Sequence, residues 1–146
     1  MKNIDYIYPG IAVIIFDEHN RVLLQKRKDV KLWGIISGHI EPGETVVEAA
    51  IREVKEETNL DIEVKHLIGV YSDPNSQVFE YPDGRNVHFI TNCFLGKVVG
   101  GELKCDPSES LEIKYFNCDD LPKNLLNMHP KWLEDALAFK ETSFIR

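Results

Sequence analysis

The distribution of apolar and polar positions predicts a chain of strands interrupted by one strongly periodic helix. Ile11-Ala-Val-Ile-Ile-Phe16 is an unbroken apolar run rich in β-branched residues, the pattern of a strand buried on both faces. The polar Asp17-Glu-His-Asn20 reads as a turn and Val22-Leu-Leu-Gln-Lys-Arg27 as a second strand, so the two predict a hairpin. Lys28 to Lys31 is a charged loop, and Leu32-Trp-Gly-Ile-Ile-Ser37 is a short apolar segment. A helix is predicted from about 45 to 58, with Thr45 as N-cap and Glu48 three residues later completing a capping box. Strands are predicted from Ile62 to Tyr71 and from Val87 to Val99, with a turn at Tyr81-Pro-Asp-Gly84 between them. Gly100-Gly101 breaks the second of these, and Glu102 to Ser110 is an irregular acidic loop. Leu111-Glu-Ile-Lys-Tyr-Phe116 alternates as a strand, and Asp119-Asp-Leu-Pro122 starts a turn or short helix. Pro130 suits position N1 of a last helix reaching about Lys140, with Trp132, Leu133, Ala136, Leu137 and Phe139 as its apolar positions. The order of elements indicates an α/β domain with a mixed sheet.

The predicted helix at 45–58 carries an unusual concentration of acid. With Glu53 at zero and about 100° per residue, Glu57 falls near 40° and Glu56 near −60°. Val47, Ala50, Ile51 and Val54 fall between about 60° and 160°, which predicts a separate apolar docking face. Like charges three and four residues apart cost roughly 0.2–0.5 kcal/mol per pair. A hard divalent cation bound by carboxylate oxygens turns that cost into affinity. Arg52 lies near −100°, beside the acids, and an ion pair with Glu48 four residues earlier is expected to hold it.

The loop in front of the helix sharpens this. Gly38, five residues, Glu44, seven residues, then Arg52-Glu53-Val54-x-Glu56-Glu57 resembles the Nudix box of the Nudix hydrolases, over Gly38 to Leu60. Asn59 stands where the family usually has Gly, and Asn is the residue after Gly that best tolerates a left-handed helix cap. The hairpin before the box and the Glu-x-x-Glu-x-Lys-Tyr-Phe…Asp-Leu-Pro segment after it are looser matches.

The resemblance implies a Nudix fold, an α/β/α sandwich with the box helix packed on a mixed sheet. It implies hydrolysis of a phosphoanhydride bond with Mg2+, for which Mn2+ can substitute. Glu53, Glu56 and Glu57 are then the expected metal ligands, joined by the carbonyl of Gly38. Arg52 is expected to orient the catalytic glutamate, and Glu44 to have a structural or a direct role in the loop. Members of the family take their general base from the box or from a later loop, so Glu53 and Glu109 are both candidates, with Glu112 third. The expected substrate is a nucleoside diphosphate linked to a moiety X, such as ADP-ribose or a nucleotide sugar. Gly69-Val-Tyr-Ser-Asp-Pro74 and Tyr81-Pro-Asp-Gly84 faintly resemble pyrophosphatases of that kind. One alternative is a nucleoside triphosphate pyrophosphatase that clears oxidised or non-standard nucleotides, and another is a non-catalytic nucleotide-binding or regulatory domain. A homodimer is compatible with the family.

Composition narrows the setting. A chain of 146 residues, 43% hydrophobic and 28% charged, suits one soluble domain over 1–146 with a real core. A net charge of −7 argues against nucleic-acid backbone or anionic membrane as partner, and leaves a small nucleotide-type substrate. Cys93, Cys105 and Cys118 have no C-x-x-C spacing and read as reduced packing thiols, which with the absence of an apolar leader or membrane-length run predicts a cytoplasmic protein. Trp33, Tyr71, Phe79, Tyr81 and Trp132 are available to stack on a base, though core or interface packing is the expected role of each. Arg27 and Arg85 are candidate phosphate contacts by position. Of the histidines, His39 is a box-loop residue, His19, His66 and His129 read as turn or surface positions, and His88 either faces a cleft or sits on a strand.

Overall fold

The computed structural model describes residues 3–138 and 142–146. Its centre is β1 (Tyr6–Ile15), which pairs antiparallel with β4 (Ile36–His39) at one edge and parallel with β7 (Asn86–Gly101) at the other. Beyond it, β7 runs antiparallel to β5 (Leu60–Tyr71) and to the short β6 (Val78–Glu80), and β9 (Phe144–Ile145) lies parallel to β5. A second, antiparallel sheet sets β2 (Val22–Arg27) between β3 (Trp33–Gly34) and β8 (Ser110–Phe116).

The alternation of β1 explains its unbroken apolar run. Ile11, Val13 and Ile15 face a cluster that includes Ala49, Ala50 and Val54 of helix α1 (Val46–Thr58). Ala12 and Ile14 face the opposite cluster, which includes Trp33, Tyr71 and Ala136 of helix α3 (Trp132–Leu137). The mixed sheet is therefore covered on both faces, the α/β/α sandwich expected. Among the described residues no helix is long and apolar enough to cross a membrane.

Helix α1 begins as predicted. Thr45 Oγ1 accepts from Glu48 N at 3.1 Å, and Glu48 Oε1 accepts from Thr45 N at 3.1 Å. It ends on Asn59 at φ 62°, ψ 13°, a left-handed cap whose N–H donates to Lys55 O and whose amide donates to Glu102 O at 2.9 Å.

Several expectations are corrected. The predicted hairpin of β1 and β2 shrinks to one bridge, Phe16 to Val22, closed by Asp17 N donating to Arg21 O. A strand has two edges, and both edges of β1 are taken by β4 and β7, so β2 builds the second sheet. The docking face of α1 is also shifted. Its buried residues are Ala49, Ala50, Val54, Glu57 and Thr58, whereas Val47 and Ile51 are 39% and 40% exposed. The small side chains let the helix approach the sheet closely, and that rotation carries the acids inward. A short helix α2 (Pro74–Gln77) and strand β6, for which no element is predicted, precede the turn expected at Tyr81–Gly84. The last helix starts at Trp132, two residues beyond Pro130, and ends at Leu137; Phe139 and Lys140 lie outside the described residues.

Candidate active site

The box helix, the β4 end and the β2–β8 sheet enclose a cleft of about 910 Å³. Gly38, at the end of β4, lies against the helix so closely that a Cβ there would sit 2.3 Å from the Glu53 carboxyl carbon. Only the missing side chain allows the Glu53 carboxylate to occupy this position. Glu53 and Glu57, one turn apart, both line the cleft, as does Glu56.

Arg52 organises these acids, with different partners from those expected. Its Nε and Nη2 donate to the two oxygens of Glu44 at 2.6 and 2.8 Å, a bidentate pair. Nη2 also donates to His39 O at 3.0 Å, and Nη1 to Glu53 Oε1 at 3.0 Å and Glu56 Oε2 at 3.2 Å. The Arg52–Glu48 pair is absent because the Glu48 carboxylate is used in the helix cap. Glu44 anchors the loop as well: its Oε1 accepts from Glu41 N at 2.8 Å. The Arg52 hydrogen bonds hold the Glu44 carboxyl down at about 2.

The other two acids are pushed the opposite way. Burial raises the Glu53 carboxyl above its ordinary range against the pull of Arg52. Burial, with Glu53 next in effect, pushes Glu57 up to about 8. Glu57 is 9% exposed, and its Oε2 is buried without a hydrogen-bond partner. A buried carboxylate oxygen with no donor, one helical turn from a second acid, is a costly arrangement that a divalent cation relieves. Among the described residues no three acidic, histidine or cysteine groups converge on one point as they stand, consistent with Arg52 drawing Glu53 Oε1 and Glu56 Oε2 toward itself. The chemistry of the donor set nonetheless fits a hard cation: Glu53, Glu56 and Glu57 offer oxygen only.

Residues 7–136 match the family model described as the NUDIX domain. The chain belongs to the NUDIX family. It is 40% identical over 139 residues to an ADP-ribose pyrophosphatase of Methanocaldococcus jannaschii, covering 92% of this chain and 77% of that protein. It is 32% identical over 126 residues to a putative 8-oxo-dGTP diphosphatase of Bacillus subtilis, covering 86% and 77%. A solved ADP-ribose pyrophosphatase from Streptococcus suis superposes with a TM-score of 0.69 at 26% identity, over 95% of this chain and 97% of that one. A solved UDP-X diphosphatase shares the fold, with a TM-score of 0.74 at 19% identity, over 92% of this chain and 63% of that one. The chain is a Nudix hydrolase, an enzyme of a family that uses divalent metal, and the alternative of a non-catalytic module falls.

The remaining candidates in this Nudix fold are distributed unevenly. Glu109 lines the cleft from the loop before β8, and its carbonyl accepts from Lys28 N at 3.0 Å. Glu112 lies further along β8, outside the cleft lining, with Lys114 Nζ at 3.5 Å. Arg27 lines the cleft, its guanidinium donating to Asp29 at 3.1 and 2.7 Å. Arg85 is not among the lining residues; it donates to Asp83 Oδ2 at 2.7 Å and lies over the rings of Tyr6 and Tyr81.

Of the aromatic residues, Trp33 packs in the core, and Tyr71 is 4% exposed with its hydroxyl donating to Asp135 at 2.7 Å. Phe79, Tyr81 and Trp132 line the cleft. So does His39, which packs on Phe89 and Tyr8 and is within 3.3 Å of the Tyr81 hydroxyl. His88 contacts Ser72 O instead. Buried Cys93 has its thiol pushed up to about 12 and serves packing. Sequence reasoning missed Gln25 and Phe89. A signal for Gln25 exists: it shares a strand face with Leu23, so a polar side chain falls on a face that Leu23 buries.

Proposed function

We propose that the protein is a Mg2+-dependent pyrophosphohydrolase acting on a nucleoside diphosphate linked to a moiety X, of the ADP-ribose or nucleotide-sugar class. The observation that carries this reading is the shape of the cleft. Its acidic end, at Glu53, Glu56 and Glu57, continues into an aromatic wall of His39, Phe79, Tyr81 and Phe89. Such a cleft can take a diphosphate at one end and a planar ring at the other. The relative that is 40% identical and named an ADP-ribose pyrophosphatase supports the same reading. The net charge of −7 favours a small substrate over nucleic acid, and three free thiols suit the cytoplasm.

In this reading Glu53, Glu56, Glu57 and the Gly38 carbonyl would hold the cation, which when bound would neutralise phosphate oxygens and lower the pKa of bound water. The protein's own groups do the rest. Arg52, fixed by Glu44 and the His39 carbonyl, holds Glu53 in place through Nη1. Glu53, whose carboxyl burial raises above its ordinary range, is suited to take a proton. Glu109 faces the same cleft and is the competing base. Arg27, which lines the cleft, would meet substrate phosphate.

A panel of ADP-ribose, nucleotide sugars and nucleoside triphosphates, assayed with Mg2+ and then Mn2+, tests the reading. Cleavage of ADP-ribose to AMP and ribose 5-phosphate is expected. Release of inorganic pyrophosphate from triphosphates alone would establish instead the second reading, a nucleotide-sanitising enzyme, which the Bacillus subtilis relative favours.

A further inference from the structure

A polar pair that the chemistry at the acids does not use lines the same cleft. Gln77 and Thr91 are both lining residues, and Thr91 Oγ1 donates to Gln77 Oε1 at 2.7 Å. Gln77 is 9% exposed. The bond takes its amide oxygen, and among the described residues Nε2 makes no hydrogen bond. Gln77 therefore offers the cleft two N–H donors on a side chain already fixed in orientation.

The flanking elements hold this pair beside the aromatic wall. Side chains alternate along β7, so Phe89, Thr91 and Cys93 share the face that lines the cleft. Gln77 ends α2, and Phe79 lies two residues on in β6, its ring 5.8 Å from that of Phe89. The pairs Phe79–Phe89 and Gln77–Thr91 are thus successive rungs between the same two segments. Helix α2 is itself tied down. Gln77 N donates to Asp73 O at 2.9 Å, Asp73 Oδ1 caps the helix by accepting from Asn75 N, and Asn127 Nδ2 donates to Asn75 O at 2.9 Å. Gly10 opposes Thr91 in the β1–β7 register, where a Cβ would sit 3.6 Å from Thr91 Oγ1 and 3.2 Å from Phe89 Cδ1. With no side chain at that position the pair stays open to the cleft. Were packing the only task here, two apolar side chains would serve without burying an amide.

We propose that Gln77 is a specificity-determining residue for the nucleobase: its Nε2 donates to a ring nitrogen or carbonyl on the base edge while Phe79 and Phe89 flank the ring. Thr91 is a positioning residue that fixes which end of the amide faces the base. This rests on the reading of the aromatic end of the cleft as the nucleoside subsite. Stacking alone holds a planar ring with little regard to which base it is. A directed donor adds a penalty for any ring that presents no acceptor there, because the amide is then left without a partner.

Steady-state cleavage of ADP-ribose, compared with a base-free analogue in which a second ribose replaces adenosine, is the test. Gln77→Met keeps the length of the side chain without its donors. It should raise KM for ADP-ribose about tenfold with a much smaller change in kcat, and cut the preference for ADP-ribose over the analogue by the same factor. Thr91→Val should act in the same direction, more weakly, and add nothing in a Gln77→Met background. Equal losses on both substrates would mark Gln77 as merely structural, and wild-type KM for ADP-ribose in Gln77→Met would show that no donor is used; either result overturns the proposal. Should Gln77→Met fail to fold, an unchanged preference in Thr91→Val overturns it equally. If the wild type leaves ADP-ribose intact and cleaves nucleoside triphosphates, the diphosphate-linked reading falls instead. The same variants are then compared on that triphosphate and on inorganic tripolyphosphate, with the same outcomes deciding the role of Gln77.

Discussion

Glu57→Gln offers a test in which stability and activity move in opposite directions. Glu57 has an ordinary carboxyl value of 4.5 and is pushed up to about 8 by burial, then by Glu53. The folded protein therefore keeps a proton that the unfolded chain gives up anywhere between those two values. Where the folded state binds more protons, stability falls as pH rises. The contribution is full below about 4.5, is lost progressively through the window, and is constant again above about 8. At about 1.36 kcal/mol per pH unit the displacement from 4.5 to about 8 is worth on the order of 4–5 kcal/mol, most of it lost between pH 5 and pH 9.

Gln has the same shape and cannot ionise. In EDTA the variant should match the wild type near pH 5 and exceed it at pH 9, by about 10 °C in melting temperature for a chain of this size. Adding Mg2+ at pH 8 should restore the wild type and leave the variant unchanged, while its turnover falls by orders of magnitude. Melting temperatures that run parallel for the two proteins from pH 5 to pH 9 would refute the burial argument. Full Mg2+-dependent turnover in the variant would refute the assignment of Glu57 to the metal.

Gly38→Ala places a methyl group 2.3 Å from the Glu53 carboxyl carbon, so it should cut turnover and Mn2+ binding together with little change in far-ultraviolet circular dichroism. Arg52→Lys keeps the charge and loses the fork that grips Glu44; kcat should fall at least tenfold, with no rescue at higher substrate concentration. Glu53→Gln and Glu109→Gln separate the two candidate bases, because only loss of the base should abolish the acidic limb of the pH–rate profile. Asn59→Ala forces a left-handed backbone on a residue that resists it and removes the bond to Glu102 O, for an expected loss of about 1–2 kcal/mol in urea denaturation. Asn59→Gly removes only the side-chain bond and should cost less.

How much of this was legible in the sequence depended on whether a feature is local. The capping box at Thr45 and Glu48 and the Asn59 cap involve neighbours in the chain, and both appear as read. The strands at Val22–Arg27 and Leu111–Phe116 follow from composition and alternation and are placed within a residue. The pairing of strands is not local: nothing in Ile11–Phe16 states that β4 and β7 occupy both its edges. The partner of Arg52 failed for a related reason. Glu48 satisfies helix spacing, but its carboxylate was already committed to the cap, and Glu44, eight residues away, is the acid that reaches the guanidinium.

The helix face is the instructive case, because the error there concerns function. A wheel that sorts residues by hydrophobicity sets Val47 and Ile51 against the sheet and leaves the acids in water. The protein buries Ala50 and Val54 of that face but exposes Val47 and Ile51, and buries Ala49, Thr58 and Glu57 in their place. An acid in solvent would keep a normal pKa and bind a cation weakly against water. An acid carried to the edge of the core loses hydration, keeps an oxygen without a donor, and gains most from a cation. The small residues of the box thus have a chemical consequence: by letting the helix sit close to β1 and β4, they pull Glu57 out of water and bring Glu53 against Gly38. Enlarging Ala50 to Leu should therefore impair metal binding as well as packing. A variant that lost stability yet kept wild-type Mn2+ affinity would show that the depth of the helix and the strength of the site are independent.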